Sequence, residues 1–201
     1  MLLGVGIVLL AGAFFVDHPL AEWAKAHAIP DFANPDAKHN DAARELMFLE
    51  QYGQWVCSIA VLVAVAVFDR ARGVPNALRI AAACLLTALV AYLIKDLAGR
   101  TRPDRMVDGL SGFLGPAYGF THGSAVASFP SSHTTGAFAL SAALAFFYPR
   151  ARVFLYALAT IVAAQRVLHH AHYLSDVIAG VLVAVTITRV TLRGVTRTGK
   201  R

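Results

Sequence analysis

The chain is short of charge and short of thiols. Only 15% of its 201 residues are charged, whereas 57% are hydrophobic. So apolar a composition excludes an ordinary soluble domain and reads as a polytopic membrane protein. There are two cysteines, Cys57 and Cys84, each inside an apolar run. They read as small core hydrophobes, and nothing around them argues for a disulfide or a thiol nucleophile. Residues 1–16 lack the early basic residues that open a cleavable signal peptide, so they are expected to be a retained first span. That run is short against the roughly 20 residues a helix needs to cross a bilayer, so tilt or local thinning would accompany it. No repeat, low-complexity tract or second domain stands out, and residues 1–201 are expected to form a single transmembrane domain.

What the sequence does have is a series of apolar runs. After the first, they extend from near Leu46 to Phe68, Ala77 to Ile94, Thr134 to Tyr148, Val153 to Leu168 and Leu174 to Leu192. The expected fold class is all-α, a polytopic bundle of six transmembrane helices. Residues 17–52 are polar and interrupted by Pro19, Pro30 and Pro35. An apolar stripe of Ala42, Leu46, Phe48 and Leu49 suits a partly interfacial helix there. Arg70, Arg72, Arg79, Arg150 and Arg152 share one set of connections with the basic tail 193–201 (Arg193, Arg197, Lys200, Arg201). By the positive-inside rule these face the cytoplasm, which places both termini there. Segment 17–52, with its acidic excess, is then extracytoplasmic, as are the long loop 95–130 and the stretch 166–175. Cations on that outer face break the trend and are expected to have another job.

Three clusters hold those outer-face polar groups. The first runs from Lys95 to Arg102-Pro103; a mobile ammonium and a planar guanidinium suit phosphate oxygens. Taken alone, it reads more readily as a solvated or snorkelling basic loop. The second is Pro130-Ser131-Ser132-His133 before an apolar run. Proline and serine suit a helix start, whose free N–H groups can hold an anion, with His133 in reach as a proton donor. An ordinary capped helix with an interfacial histidine would look the same. The third is Gln165 to Asp176, where Arg166, His169, His172 and Asp176 would share one face if the stretch were helical. A metal could use His169, His172 and Asp176. Arg166 on that stripe, with Lys95, Arg100 and Arg102 on the same side, favours an anion instead. A structural histidine cluster is the plainer alternative.

In order, the three clusters resemble the motifs of the type-2 phosphatidic acid phosphatase superfamily, membrane phosphatases related to vanadium haloperoxidases. That family shows Lys-x6-Arg-Pro, Pro-Ser-Gly-His and Ser-Arg-x5-His-x3-Asp. Lys95, Arg102 and Pro103 match the first. Pro130, Ser131 and His133 match the second, with Ser132 at the usual glycine. Arg166, His172 and Asp176 match the third, with Gln165 at the usual serine. The motif-bearing core spans residues 95–176.

The resemblance implies a six-span lipid phosphatase with His172 as nucleophile, Asp176 holding its other ring nitrogen, and His133 as proton donor to the leaving group. Lys95, Arg102, Ser131, Ser132 and Arg166 would bind the phosphate. No metal or other cofactor is implied, and the partners are a lipid phosphate substrate and membrane lipids, with no nucleic acid. Phosphatidic acid, phosphatidylglycerol phosphate, undecaprenyl pyrophosphate and lipid A phosphates are the candidate substrates. The expected location is a bacterial inner membrane with the site on the periplasmic side. Arg100 and Arg105 are expected to assist at the headgroup, while His122, His169 and His170 match no motif. A phosphotransferase of the same fold, a non-catalytic phospholipid binder or transporter, and a haloperoxidase are the other readings.

Overall fold

The computed structural model describes residues 2–26, 48–103, 105 and 107–193. Helices of 14 residues or more are α1 (Leu2–Ala26), α2 (Trp55–Phe68), α3 (Gly73–Ala98), α4 (Ser132–Phe147), α5 (Arg152–Leu168) and α6 (Leu174–Thr191). The architecture is all-α, with two isolated bridges in the α3–α4 loop as the extended pairing among the described residues. Among the described residues, four helices are long and apolar enough to cross a membrane: α1, α3, α5 with its preceding turn, and α6. At 14 and 16 residues, α2 and α4 are shorter than the rest.

Helix α4 carries much of the core. It packs against α3, α5 and α6 at the centre of the bundle. Ala137, Leu140, Ala143 and Leu144 are buried there with Ile80 and Ala83 of α3 and Leu155, Ala159 and Val162 of α5. Small residues on this face let helix axes approach closely, which is how helices associate where lipid removes the hydrophobic drive. Cys57 and Cys84 pack at the edge of the same core as free thiols. On α3, Ile80, Ala83, Thr87 and Ala91 face inward at helical spacing while Leu78, Leu85, Leu89 and Tyr92 face out. A helix apolar on both faces suits a lipid-facing position in a bundle.

Several boundaries differ from expectation. The first helix does not end at Val16 but continues through Pro19 to Ala26. Asp17, which reads as the start of a polar loop, is 1% exposed and paired inside the bundle. That pairing anchors the helix past its proline, whose missing N–H membrane helices tolerate when neighbouring helices hold them. Helix α3 starts at Gly73 with Pro75 in its first turn, and it passes Lys95 to end at Gly99, whose left-handed φ of 52° suits a helix C-cap. The second run is interrupted: helical residues 48–50 lead into the short turn Gln51–Gly53, and Gln54 separates that turn from α2. The stripe at Ala42 and Leu46 and the tail from residue 194 lie outside the described residues.

Candidate active site

The up-and-down order of the helices decides which residues meet. The C-terminal ends of α3 and α5 and the N-terminal ends of α4 and α6 share one end of the bundle. Lys95, Ser131 to His133, Arg166 and the His172–Asp176 pair therefore converge, although 81 residues of sequence separate Lys95 from Asp176.

The stretch 165–176 is not one helix, which corrects the shared-face expectation for Arg166, His169, His172 and Asp176. Helix α5 ends at Leu168, His169 is its cap, and His170 takes a left-handed φ of 54°. The N–H groups of Ala171 and His172 both return to the carbonyl of Arg166, at 3.2 and 3.1 Å, and close a tight corner. Helix α6 then starts at Leu174. Its N-cap is Tyr173, whose N–H donates to Asp176 Oδ2 at 2.9 Å, so the carboxylate doubles as the helix cap. The corner brings His172 beside Asp176, with His172 Nδ1 3.5 Å from Asp176 Oδ2. That separation is longer than a full hydrogen bond. Among the described residues, no group of three His, Cys, Asp or Glu side chains is placed to hold a metal ion.

Asp176 is fully buried and its oxygens are heavily used. Arg100 Nη1 donates to Oδ1 at 2.7 Å and Ser128 Oγ donates to Oδ2 at 2.6 Å. Arg100 continues to Asp17 Oδ2 at 2.8 Å and to Ser175 Oγ at 2.6 Å. Ser175 in turn donates its N–H to Asp17 Oδ1 at 2.9 Å, and its hydroxyl to Oδ2. The Arg100 guanidinium lies over the rings of Tyr173 and Phe113, 4.1 and 4.7 Å from their centroids. Arg100 is thus a buried counter-ion, not the headgroup contact expected from sequence. One guanidinium shared by two acidic side chains supplies the pairing without which a charge buried here would be prohibitive.

Burial holds the His172 imidazole neutral, with its pKa pushed down to about 4; Asp176 opposes this, and the Arg102 and Arg166 charges reinforce it. Lys95 is buried and donates to the carbonyls of Ala127 (2.7 Å) and Pro130 (2.6 Å), fixing the chain that enters α4. Arg102 spans from the Ser124 carbonyl (3.2 Å) to that of Ala171 (3.1 Å), joining the long loop to the His172 corner. Ser131 is the N-cap residue of α4, fully buried, and its N–H donates to the Asp176 carbonyl at 3.0 Å. Ser132 is exposed at the first helical position. The N–H groups of Ser132, His133 and Thr134 precede the first helical bond, from Thr135 N–H to Ser131 O at 2.9 Å. They form the anion-favouring end of α4.

His133 brings in residues that sequence reasoning missed. Its Nε2 lies 2.6 Å from Gln54 Nε2 and 3.2 Å from Glu50 Oε1, and Glu50 also bonds Arg166 Nη1. The two partners flank the Gln51–Gly53 turn, which sits against α4. A Cβ on Gly53 would lie 2.5 Å from the His133 carbonyl oxygen, so only glycine allows the approach. The buried bond between Tyr52 Oη and Ser141 Oγ, 2.8 Å, pins the same turn. Ser128, Asp17 and Ser175 were also missed. An acid at depth in an apolar run, such as Asp17, was the available signal; nothing local marks Ser128 or Ser175. His122 stacks on Tyr118 (4.8 Å) on the loop surface, apart from this cluster.

A family model described as the PAP2 superfamily matches residues 76–200. A lipid A 1-phosphatase of Rhizobium johnstonii is 43% identical over 97 residues, 48% of this chain and 38% of that protein. A lipid A 1-phosphatase of Rhizobium etli is 42% identical over 97 residues, covering 40% of its length. The match therefore spans about two fifths of these relatives. The crystal structure of a transmembrane PAP2-type phosphatidylglycerolphosphate phosphatase from Bacillus subtilis superposes with a TM-score of 0.67 at 17% identity, covering 98% of this chain and 97% of the other. At that identity the likeness concerns the fold.

Proposed function

The chain belongs to the PAP2 superfamily, and from that premise we propose that it is an integral membrane lipid phosphatase working through a phosphohistidine. The observation that carries this reading is the convergence of Lys95, Arg102, Arg166 and His133 around a buried, neutral His172 backed by Asp176. With Nδ1 turned to Asp176, His172 Nε2 attacks phosphorus, forming a P–N bond as the P–O bond to the lipid breaks. His133 donates its proton to the departing oxygen. Asp176 holds the tautomer and stabilises the positive charge that develops on the ring. Lys95, Arg102 and Arg166, with Ser131 and the N–H groups at Ser132 and His133, take up the negative charge on the phosphoryl oxygens. Water then attacks phosphorus, gives its proton to His133 and releases His172. This cation set does the work of charge neutralisation through protein groups.

The bundle would cross the membrane six times, with α2 and α4 as the short spans, and with the site on the periplasmic face of a bacterial inner membrane. Lipid would enter sideways between helices and present its phosphate to the polar end. The Rhizobium relatives make a lipid A phosphate the first substrate to try, beside phosphatidic acid, phosphatidylglycerol phosphate and undecaprenyl pyrophosphate. The deciding experiment is phosphate release from this panel in detergent with EDTA, for wild type and His172→Ala. Turnover that persists in EDTA and disappears in the variant supports the reading. Loss of turnover in EDTA would return the metal alternative, and phosphate transferred to an acceptor lipid instead of water would make the protein a phosphotransferase.

A further inference from the structure

The opposite end of the bundle holds a second concavity that the reaction leaves unused. A cavity of about 520 Å³ opens between the end of α4, the start of α5 and the end of α6. Its rim carries Arg152, Arg189 and Arg193, and Val185 and Leu192 form part of an apolar wall. All three arginines are exposed, and among the described residues no acid lines the cavity. Asp69, in the neighbouring α2–α3 turn, is already committed. Its oxygens accept from Tyr148 Oη (2.7 Å), Asn76 Nδ2 (3.0 Å) and the N–H groups of Ala71 and Arg72.

Two features go beyond a basic helix end. Arg152 opens α5, whose first turn has no acidic residue. A cation there adds to the positive pole of the helix instead of offsetting it, so this end favours an anion. Thr188 is the independent sign. It lines the cavity at 2% exposure, and its hydroxyl has no hydrogen-bond partner. Threonines in these helices ordinarily donate to the carbonyl four residues back, as Thr87 does to Ala83 and Thr191 to Ile187. A buried hydroxyl left without a partner is costly, and a phosphate oxygen in the cavity would supply one once the side chain turns toward it.

We propose that this cavity binds the phosphate-bearing headgroup of an anionic membrane lipid, with an acyl chain against Val185 and Leu192. The guanidiniums supply forked donors to the phosphate oxygens, and Thr188 adds a hydroxyl. Basic pockets between membrane helices bind such headgroups. The apolar wall favours a lipid over free phosphate. The site lies at the far end of α4, α5 and α6 from His133, Arg166 and His172, and it does not depend on the hydrolytic reading.

The test is native mass spectrometry of the full-length His172→Ala protein in detergent, which removes turnover. The arms are dioleoylphosphatidylglycerol, dioleoylphosphatidylcholine and inorganic phosphate. Phosphatidylglycerol is expected to be retained at one per chain, phosphatidylcholine about tenfold more weakly, and inorganic phosphate not to displace the lipid. Adding Arg152→Gln, Arg189→Gln and Arg193→Gln together is expected to lower phosphatidylglycerol affinity about tenfold or more, whereas adding Arg102→Gln and Arg166→Gln at the reaction site leaves it unchanged. Thr188→Val is expected to raise the Tm of lipid-free protein and shrink the gain in Tm on adding phosphatidylglycerol. Equal retention by the triple arginine variant, equal retention of phosphatidylcholine, or displacement by inorganic phosphate would each overturn the proposal.

Discussion

At the scale of single residues, the proposed chemistry turns on the His172 ring. Burial pushes its pKa down to about 4, so the ring stays neutral and nucleophilic far below the usual histidine range. The acid limb of kcat/KM that reports this group is expected near that value instead of near 6.5, activity falling as pH drops through it. The same shift has a stability consequence. The unfolded chain binds the proton first, so this contribution to stability is present above about 6.5 and is lost as pH falls toward 4. A Tm that declines between these limits in wild type, and declines less in His172→Ala, is the expected outcome; parallel curves would contradict it. Glu50 is the other telling residue, because its carboxylate occupies Arg166 and lies 3.2 Å from His133. An incoming phosphate must compete with it for the same guanidinium. Glu50→Gln is therefore expected to lower the inhibition constant for inorganic phosphate about tenfold. An unchanged constant would mean that carboxylate and phosphate use Arg166 together.

At the scale of elements, α1 and the Gln51–Gly53 turn reach the site from outside the Lys95–Asp176 core. Asp17 of α1 meets Arg100 and Ser175, tying the first helix to the start of α6. Removing Asp17 leaves Arg100 buried with one carboxylate fewer. Asp17→Ala is expected to cost about 3–5 kcal/mol, read as a fall in Tm or in folded yield from detergent. The turn acts on catalysis more than on stability. Gly53→Ala puts a methyl group 2.5 Å from the His133 carbonyl and must displace Glu50 and Gln54 together. A loss of up to about 100-fold in kcat/KM with a small change in Tm is expected, whereas wild-type kinetics would show that the turn can shift harmlessly. The glycine itself is plain in the sequence, but its contact with a carbonyl 80 positions later is not. The Asp17 case is similar. A carboxylate after an apolar run reads equally well as a loop start, and only the partner, Arg100, tells the two apart.

At the scale of the whole molecule, polarity is divided between two ends. One end gathers the reaction-site groups, and the other carries Arg70, Arg72, Arg150, Arg152 and Arg193 on helix ends and turns. If the basic end is cytoplasmic, a single cysteine at Ser111, in a background without Cys57 and Cys84, is labelled from outside intact cells. One at Ala71 is not. Both positions are exposed, so access depends on the side of the membrane, and the reverse pattern would invert the proposed orientation.

The sequence by itself determined the class of molecule and which residues are candidates for the proposed reaction. Helices need only a run of apolar residues to form and to stay in lipid, and the three spaced motifs name their own residues because spacing is a property of the chain. It did not determine who neighbours whom. The corner at His170, the Asp17–Arg100–Asp176 chain and the Glu50 contact with Arg166 and His133 each join residues distant in sequence or break a helical period. Local preference is indifferent to those choices. They were decided by the burial of charge, which is tolerable only where packing supplies an opposite charge or a hydrogen bond.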